Sequence, residues 1–202
     1  QGYDLTVLVP SPDLENFCLI EQVDGVRVVY LKSPQIKGIN FFRRSINEFL
    51  LPFYMYQNLM RSTLAKEKWD CVVWYSPSIF HGPLVKKLKK FSNCKSYLII
   101  RDIFPQWAAD IGLMGHGLPY QFFNIIAQFQ YSVADIIGVQ SHGNMTYFNN
   151  WAKKPGRKLE VLQNWLDKPG IKTCSIQLDK TSFSGRKVFV YAGNMGVAQG
   201  LD

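Results

Sequence analysis

The chain has 202 residues, 47% hydrophobic and 19% charged, with a formal net charge of +8. That length supports one full core and part of a second domain, and the composition excludes a disordered chain. No apolar run approaches the roughly 18 residues of a transmembrane helix, and the opening QGYDLTVLVP lacks the basic start and small-residue cleavage site of a signal peptide.

The charge is uneven. Residues 1–26 carry −5, residues 27–100 carry +10 and residues 101–202 carry +3. A basic block of that size points to an anionic partner, whether nucleic acid, an anionic membrane or a diphosphate-bearing substrate. Cys18, Cys71, Cys94 and Cys174 are isolated, with no CxxC and no metal-ligand spacing to His81, His116 or His142. A reducing compartment is expected, with Cys71 buried inside a strand.

Tyr3 to Pro10 reads as a strand ended by proline. Only Gln1-Gly2 precede it, so the sheet is expected to lack an opening strand and helix. Val26–Leu31 is the next strand, and Phe41 to about Lys68 is helical, kinked or restarted at Pro52. That helix has two apolar sets. Phe42, Ile46, Phe49, Leu50, Phe53 and Met60 form one face at helical spacing, and Phe41, Leu51, Tyr54, Met55 and Leu59 lie largely outside it. One core does not easily bury both. Either the helix is buried on two sides, or an outer aromatic face with Arg43 and Arg44 meets lipid headgroups or a lipid-linked substrate.

Asp70–Tyr75 is a strand that ends in Ser76-Pro77-Ser78. In the helix from His81 to Phe91, Leu84, Leu88 and Phe91 face inward while Lys86, Lys87, Lys89 and Lys90 face out. Such a cluster suits an anionic surface, and also an ordinary solvated face. Tyr97–Ile100 is a buried strand running into Arg101-Asp102, and Pro105 then disfavours helix at Phe104. Ligands of an open parallel sheet sit outside the carboxyl ends of its strands. Arg101-Asp102 with the following Pro-Trp loop is therefore the candidate site; the alternative is an ion pair that only ties a strand end to a loop.

Leu118–Val133 reads as a helix and Ala134–Val139 as a strand with Gln140-Ser141-His142-Gly143 as its edge loop. A further helix runs to about Trp151, and Leu159–Leu162 is a strand. Lys168–Arg186 is a polar linker, and Lys187–Ala192 reads as a buried strand. The turn from Gly193 to Gly200 then opens a nucleotide-binding half. Alternating strands and helices predict an α/β, doubly wound parallel sheet, with domains at 1–165 and 166–202.

Four stretches, RDIFPQWAADIG, ADIIGVQS, VLQNWLD and YAGNMGVAQGLD, occur in the order in which similar stretches stand in bacterial GT-B glycosyltransferases of retaining family 4. The chain resembles in particular the members that transfer an amino sugar, N-acetyl-L-fucosamine, in O-antigen synthesis. The resemblance implies two Rossmann-like domains with a cleft between them. The first binds the acceptor and the second binds the nucleotide sugar. It also implies a chain truncated at both ends and inactive alone, because the family's donor-gripping carboxylates would lie further on.

By that resemblance Asp102 matches the family's acid, and Arg101 stands where the family often has histidine. Ser141 and Asn164 match cleft-lining positions. Gly193, Asn194, Gly196 and Gln199 occupy the phosphate-binding turn, with Asn194 and Gln199 in place of its Arg and Lys. The implied donor is a uridine diphosphate sugar, with no metal and no other cofactor. The implied acceptor is a polyprenyl-diphosphate sugar, reached from the cytoplasmic face of the inner membrane. Arg43, Arg44, Lys86, Lys87, Lys89 and Lys90 would contact membrane or acceptor. Nucleic acid is not expected, since no nucleic-acid motif is present, and an open sheet edge invites self-association. A non-catalytic anionic-surface or nucleic-acid-binding domain and a nucleotide-sugar-modifying Rossmann enzyme are the alternatives. The latter would want GxGxxG after its first strand, and the strand ending Val9-Pro10-Ser11-Pro12 lacks it.

Overall fold

The computed structural model describes residues 2–164 and 177–193. It divides into two compact units, Gln1–Gln163 and Asn164–Asp202. The first unit contains β1 (Thr6–Ser11), β2 (Cys18–Val23), β3 (Val26–Lys32), α1 (Phe41–Arg61), β4 (Cys71–Ser76), α2 (Gly82–Ser92) and β5 (Lys95–Ile100). It continues with α3 (Gln106–Asp110), α4 (Leu118–Val133), β6 (Ile136–Val139), α5 (His142–Met145), a 3₁₀ turn, α6 (Asn149–Ala152) and β7 (Lys158–Val161).

The strands form two sheets. One has the order β1-β3-β2, and the other, β4-β5-β6-β7, is parallel throughout. The chain thus has the α/β, Rossmann-like class its alternating pattern predicts. In the smaller sheet β1 is parallel to β3, and β2 is antiparallel to it. β2 was not anticipated. Asp24 (φ 51°) and Gly25 (φ 79°) both take the left-handed backbone of a two-residue hairpin turn. An Asp-Gly pair after a run of strand formers is the signal that marks it. β1 runs through Pro10 to Ser11 instead of stopping at the proline. A missing N–H is tolerated there because β1 pairs on one side only.

α1 is one helix through Pro52, not two, and ends at Arg61. Asn40 caps its start, accepting from the Arg43 N–H at 2.9 Å. Of its two apolar sets, the fold buries Leu51, Met55 and Leu59 against Val29 and Leu31 of β3 and Leu84 and Leu88 of α2. Phe42, Ile46, Phe49 and Phe53 are exposed. The fold divides both sets, since Phe41 and Tyr54 of the second are exposed and Met60 of the first packs at the edge of this core.

Val85, on the other side of α2, joins Trp74, Leu98, Ile100, Ile137 and Val139 of the parallel sheet with Ala127 and Tyr131 of α4. The layer α1, α2, α4 therefore covers one face of both sheets, with α2 in the middle.

Several local expectations are corrected. Cys71 is exposed, because its side of β4 lies on the sheet face away from these helices. Phe91 is exposed at the end of α2, beyond the reach of that core. The segment toward Trp151 is two short helices and a 3₁₀ turn, not one helix. Lys187–Ala192 is irregular, with Phe189 94% exposed. A strand is stable only beside another, and among the described residues this segment pairs with none. Of the linker, Leu178–Lys180 is a 3₁₀ turn, and residues 168–176 lie outside the described residues.

At the amino edge of the parallel sheet, Ser96 donates its N–H and its hydroxyl to Asp135 Oδ2, each at 2.8 Å. Lys89 pairs with the same oxygen at 2.8 Å and donates to the Val133 carbonyl at 2.8 Å. Burial works against the charge on Asp135, but the bonds from Lys89 and Ser96 outweigh it, and the net effect holds its pKa below the ordinary 3.8. A carboxyl group so lowered stabilises the fold above its unfolded pKa, and that stability is lost as pH falls through the folded value. Asp135→Asn should cost about 1–3 kcal/mol at pH 7 by leaving its donors poorly paired. Urea midpoints at pH 7 and pH 3 should differ less in the variant than in the parent.

Candidate functional site

The registers of the parallel sheet align Ser76, Ile100, Val139 and Val161 in one row across β4, β5, β6 and β7. Beyond that row the four chains leave the sheet together. Ser78, Asp102, Ser141 and Gln163 each stand two residues past it. Arg101-Asp102 thus lies at the carboxyl edge, on an inner strand, flanked by the loops of β4 and β6. The edge of a parallel sheet is where loops diverge and leave room for a ligand.

Arg101 and Asp102 are both exposed. The Arg101 guanidinium lies 5.9 Å from the Tyr75 ring on β4, a cation–π contact that leans it toward the neighbouring strand. Among the described residues neither side chain makes a salt bridge, so the purely structural ion-pair reading lacks its pair. Ser141 is exposed at the start of α5, where its hydroxyl accepts from the Asn144 N–H at 3.3 Å. That bond gives Ser141 a capping role and fixes its hydroxyl at the edge.

The wall beside Asp102 is aromatic. Phe104 packs on Phe123 of α4 at 5.3 Å between ring centres, on Trp107 of α3 at 6.3 Å, and Phe123 meets Phe80 at 6.4 Å. The Phe104–Pro105 peptide is cis. Tyr120 donates to Gln106 Oε1 at 2.7 Å, tying α3 to α4. The loop after β5 is therefore held by packing on α4.

Gln130, which the sequence reading passed over, is wholly buried on α4 and donates from Nε2 to the Ser78 carbonyl at 3.1 Å. It anchors the β4 edge loop to α4. α2 packs tightly beside it: a Cβ on Gly82 would stand 3.0 Å from the Gln130 backbone. The available signal was a Gln on the inward side of a helix that has no Asp, Glu, Lys or Arg. Half-buried His81 ends the same loop, and burial lowers its pKa, favouring the neutral imidazole.

The basic residues divide. Arg43 and Arg44 are exposed in the first turn of α1, with Arg44 paired to Glu48 at 2.9 Å. Lys86, Lys87 and Lys90 are exposed on α2. Lys89 stands apart as a correction: its ammonium is turned into the fold toward Asp135, because its place on the helix faces the start of β6. Asn164 follows β7 by three residues and opens the second unit, and Gly193 is exposed there. Asn194, Gly196 and Gln199 lie outside the described residues.

Among the described residues no cluster of three or more His, Cys, Asp and Glu side chains is placed to hold a metal ion. No helix among them is long and apolar enough to cross a membrane. No family model matches the chain, and no curated protein matches it.

Gln130→Leu keeps the volume and removes the donor, leaving the Ser78 carbonyl unpaired, at a cost of about 1–3 kcal/mol. Amide exchange should quicken in residues 77–81 more than in β5. Equal protection in both would show that the loop does not depend on Gln130.

Proposed function

We propose that the chain is the acceptor-side part of a glycosyltransferase. The enzyme moves an amino sugar from a nucleotide diphosphate donor to a polyprenyl-diphosphate acceptor at an inner-membrane surface, facing the cytoplasm. The observation that carries this reading is the position of Arg101-Asp102: a cation and an acid without a salt bridge among the described residues, side by side at the carboxyl edge of a parallel sheet, beside an aromatic wall. The reading also rests on the resemblance of the four sequence stretches to GT-B enzymes of family 4.

The chemistry asks three things of the protein. Positive charge develops at the sugar carbon, negative charge develops on the leaving diphosphate, and the acceptor hydroxyl must be oriented with water excluded. Asp102 serves the first by holding a sugar hydroxyl or facing the cationic carbon. Arg101 serves the second, since a guanidinium matches phosphate oxygens in a planar fork. The Phe104–Trp107 wall serves the third by shaping a dry side to the cleft.

The test is release of nucleotide diphosphate from a panel of nucleotide sugars, with and without polyprenyl-diphosphate N-acetylglucosamine, by protein that carries this chain. Release that requires both partners is expected. Asp102→Asn should lower kcat by about 10²–10³ with KM for both substrates changed little. An Asp102→Asn enzyme with parental kcat removes Asp102 from the reaction. Absence of release with every pair from folded protein refutes the transferase reading.

A further inference from the structure

The three helices of the covering layer run parallel. On one side, Phe49 of α1 shares a pocket with Pro83 of α2, and Tyr56 lies 4.2 Å from the Lys87 ammonium. On the other, Phe129 of α4 lies 5.3 Å from the Lys86 ammonium, and Val133 accepts from Lys89. Advancing along α2 therefore advances along both neighbours. α1 begins at Phe41, eight residues before Phe49, which shares a pocket with Pro83, and α4 begins at Leu118, twelve before Gln130, whose backbone lies against Gly82. At 1.5 Å per residue, α1 overhangs the start of α2 by about 12 Å and α4 by about 18 Å. Since α2 leaves the carboxyl edge of β4, both overhangs lie on the side of the molecule that bears Asp102.

Each overhang carries an exposed apolar stripe that continues beside α2. On α1 the stripe is Phe42, Ile46, Phe49 and Phe53, and on α4 it is Leu118, Phe122, Ile125 and Phe129, with the same spacing of 4, 3 and 4. All eight are exposed, Phe42 at 77%, Leu118 at 82% and Ile125 at 69%. Where α2 begins, the gap between the stripes is a pocket of about 230 Å³ lined by Phe49, Phe80, Pro83, Ile125, Ile126 and Phe129. Its wall is hydrocarbon, and a hydrocarbon chain is the ligand that fits it.

The flanking charge selects what carries that chain. α4 has no charged residue, α2 has four lysines and no acid, and the single acid of α1, Glu48, is paired with Arg44. Arg43, Lys86 and Lys87 flank the apolar surface with positive charge. A second copy docked by a two-fold axis would set these cations against their own images. An anionic bilayer offers the complement on both counts, with acyl chains for the stripes and phosphate for the cations.

We infer that the overhangs of α1 and α4 seat the protein in an anionic lipid leaflet, with one lipid hydrocarbon chain in the pocket between them. The inference deepens the membrane half of the proposed function and rests on that half alone; it stands or falls without the sugar chemistry. It also gives the seating a direction, with the carboxyl edge of the sheet turned toward the leaflet.

The test is flotation of the 202-residue chain with vesicles of phosphatidylcholine alone or with phosphatidylglycerol. Binding is expected with the anionic vesicles. Ile125→Glu and Phe122→Glu are at exposed positions and should fold as the parent does, and each should weaken partition about tenfold or more. Lys86→Gln with Lys87→Gln should weaken it about fivefold per charge at low salt. In Ile125→Trp, fluorescence above that of the parent should be quenched by lipid brominated in its acyl chains. Parental binding by both glutamate variants overturns the inference, as does an unquenched tryptophan. Absence of vesicle binding with a dimer that Ile125→Glu dissociates would assign the face to a second copy and overturn it equally. Vesicle binding without nucleotide release would refute the transferase and leave this surface in place.

Discussion

Helix α2 holds the first unit together, and the rest of that unit depends on its two-sided burial. Leu84 and Leu88 close the cluster made by α1 and the small sheet, and Val85, between them in sequence, enters the cluster under the parallel sheet. Two sheets with no strand pairing between them are thereby joined through side chains. Each such buried leucine contributes roughly 2–3 kcal/mol by removal from water. The strand bonds order each sheet internally, but packing on α2 couples them.

The same helix explains why the candidate site and the apolar surface fall on one side. α2 starts at the carboxyl edge, and its neighbours run with it. Its late start leaves the first two turns of α1 and α4 without a partner between them. The face that would be core, were α2 longer, is open. Beneath it, Gln130 and the Phe80–Phe123–Phe104 contacts fasten the edge loops to α4. A chain of packing therefore runs from the exposed stripe of α4 to the loop that carries Asp102.

The amino edge contrasts with this. There the polar groups are paired, with Lys89, Ser96 and Asp135 satisfying one another; nearer the carboxyl row Tyr97 donates to Glu160 at 2.9 Å. Burial first, then the bond to Glu160, pushes the Tyr97 pKa up to about 12, so it stays a neutral donor. Lys89 and Asp135 at the amino edge are used within the fold, whereas Arg101 and Asp102 at the carboxyl edge are exposed.

Much of this was legible in the chain. The helix Leu118–Val133, the strand into Arg101-Asp102 and the parallel α/β class follow from local periodicity and from strands alternating with helices. The hairpin strand Cys18–Val23 was missed, although Asp24-Gly25 marks its turn. Other features were not legible. Which apolar residues of α1 are buried, that Lys89 turns inward among four similar lysines, and that Gln130 holds the Ser78 loop depend on neighbours far away in sequence. The reason is physical: periodicity reports that a face is apolar, whereas burial is a property of two surfaces. Local sequence located most of the elements and put Asp102 at a strand end, but it missed β2 and read Lys187–Ala192 as a strand. Only tertiary packing decided which faces close on one another and which remain for a partner.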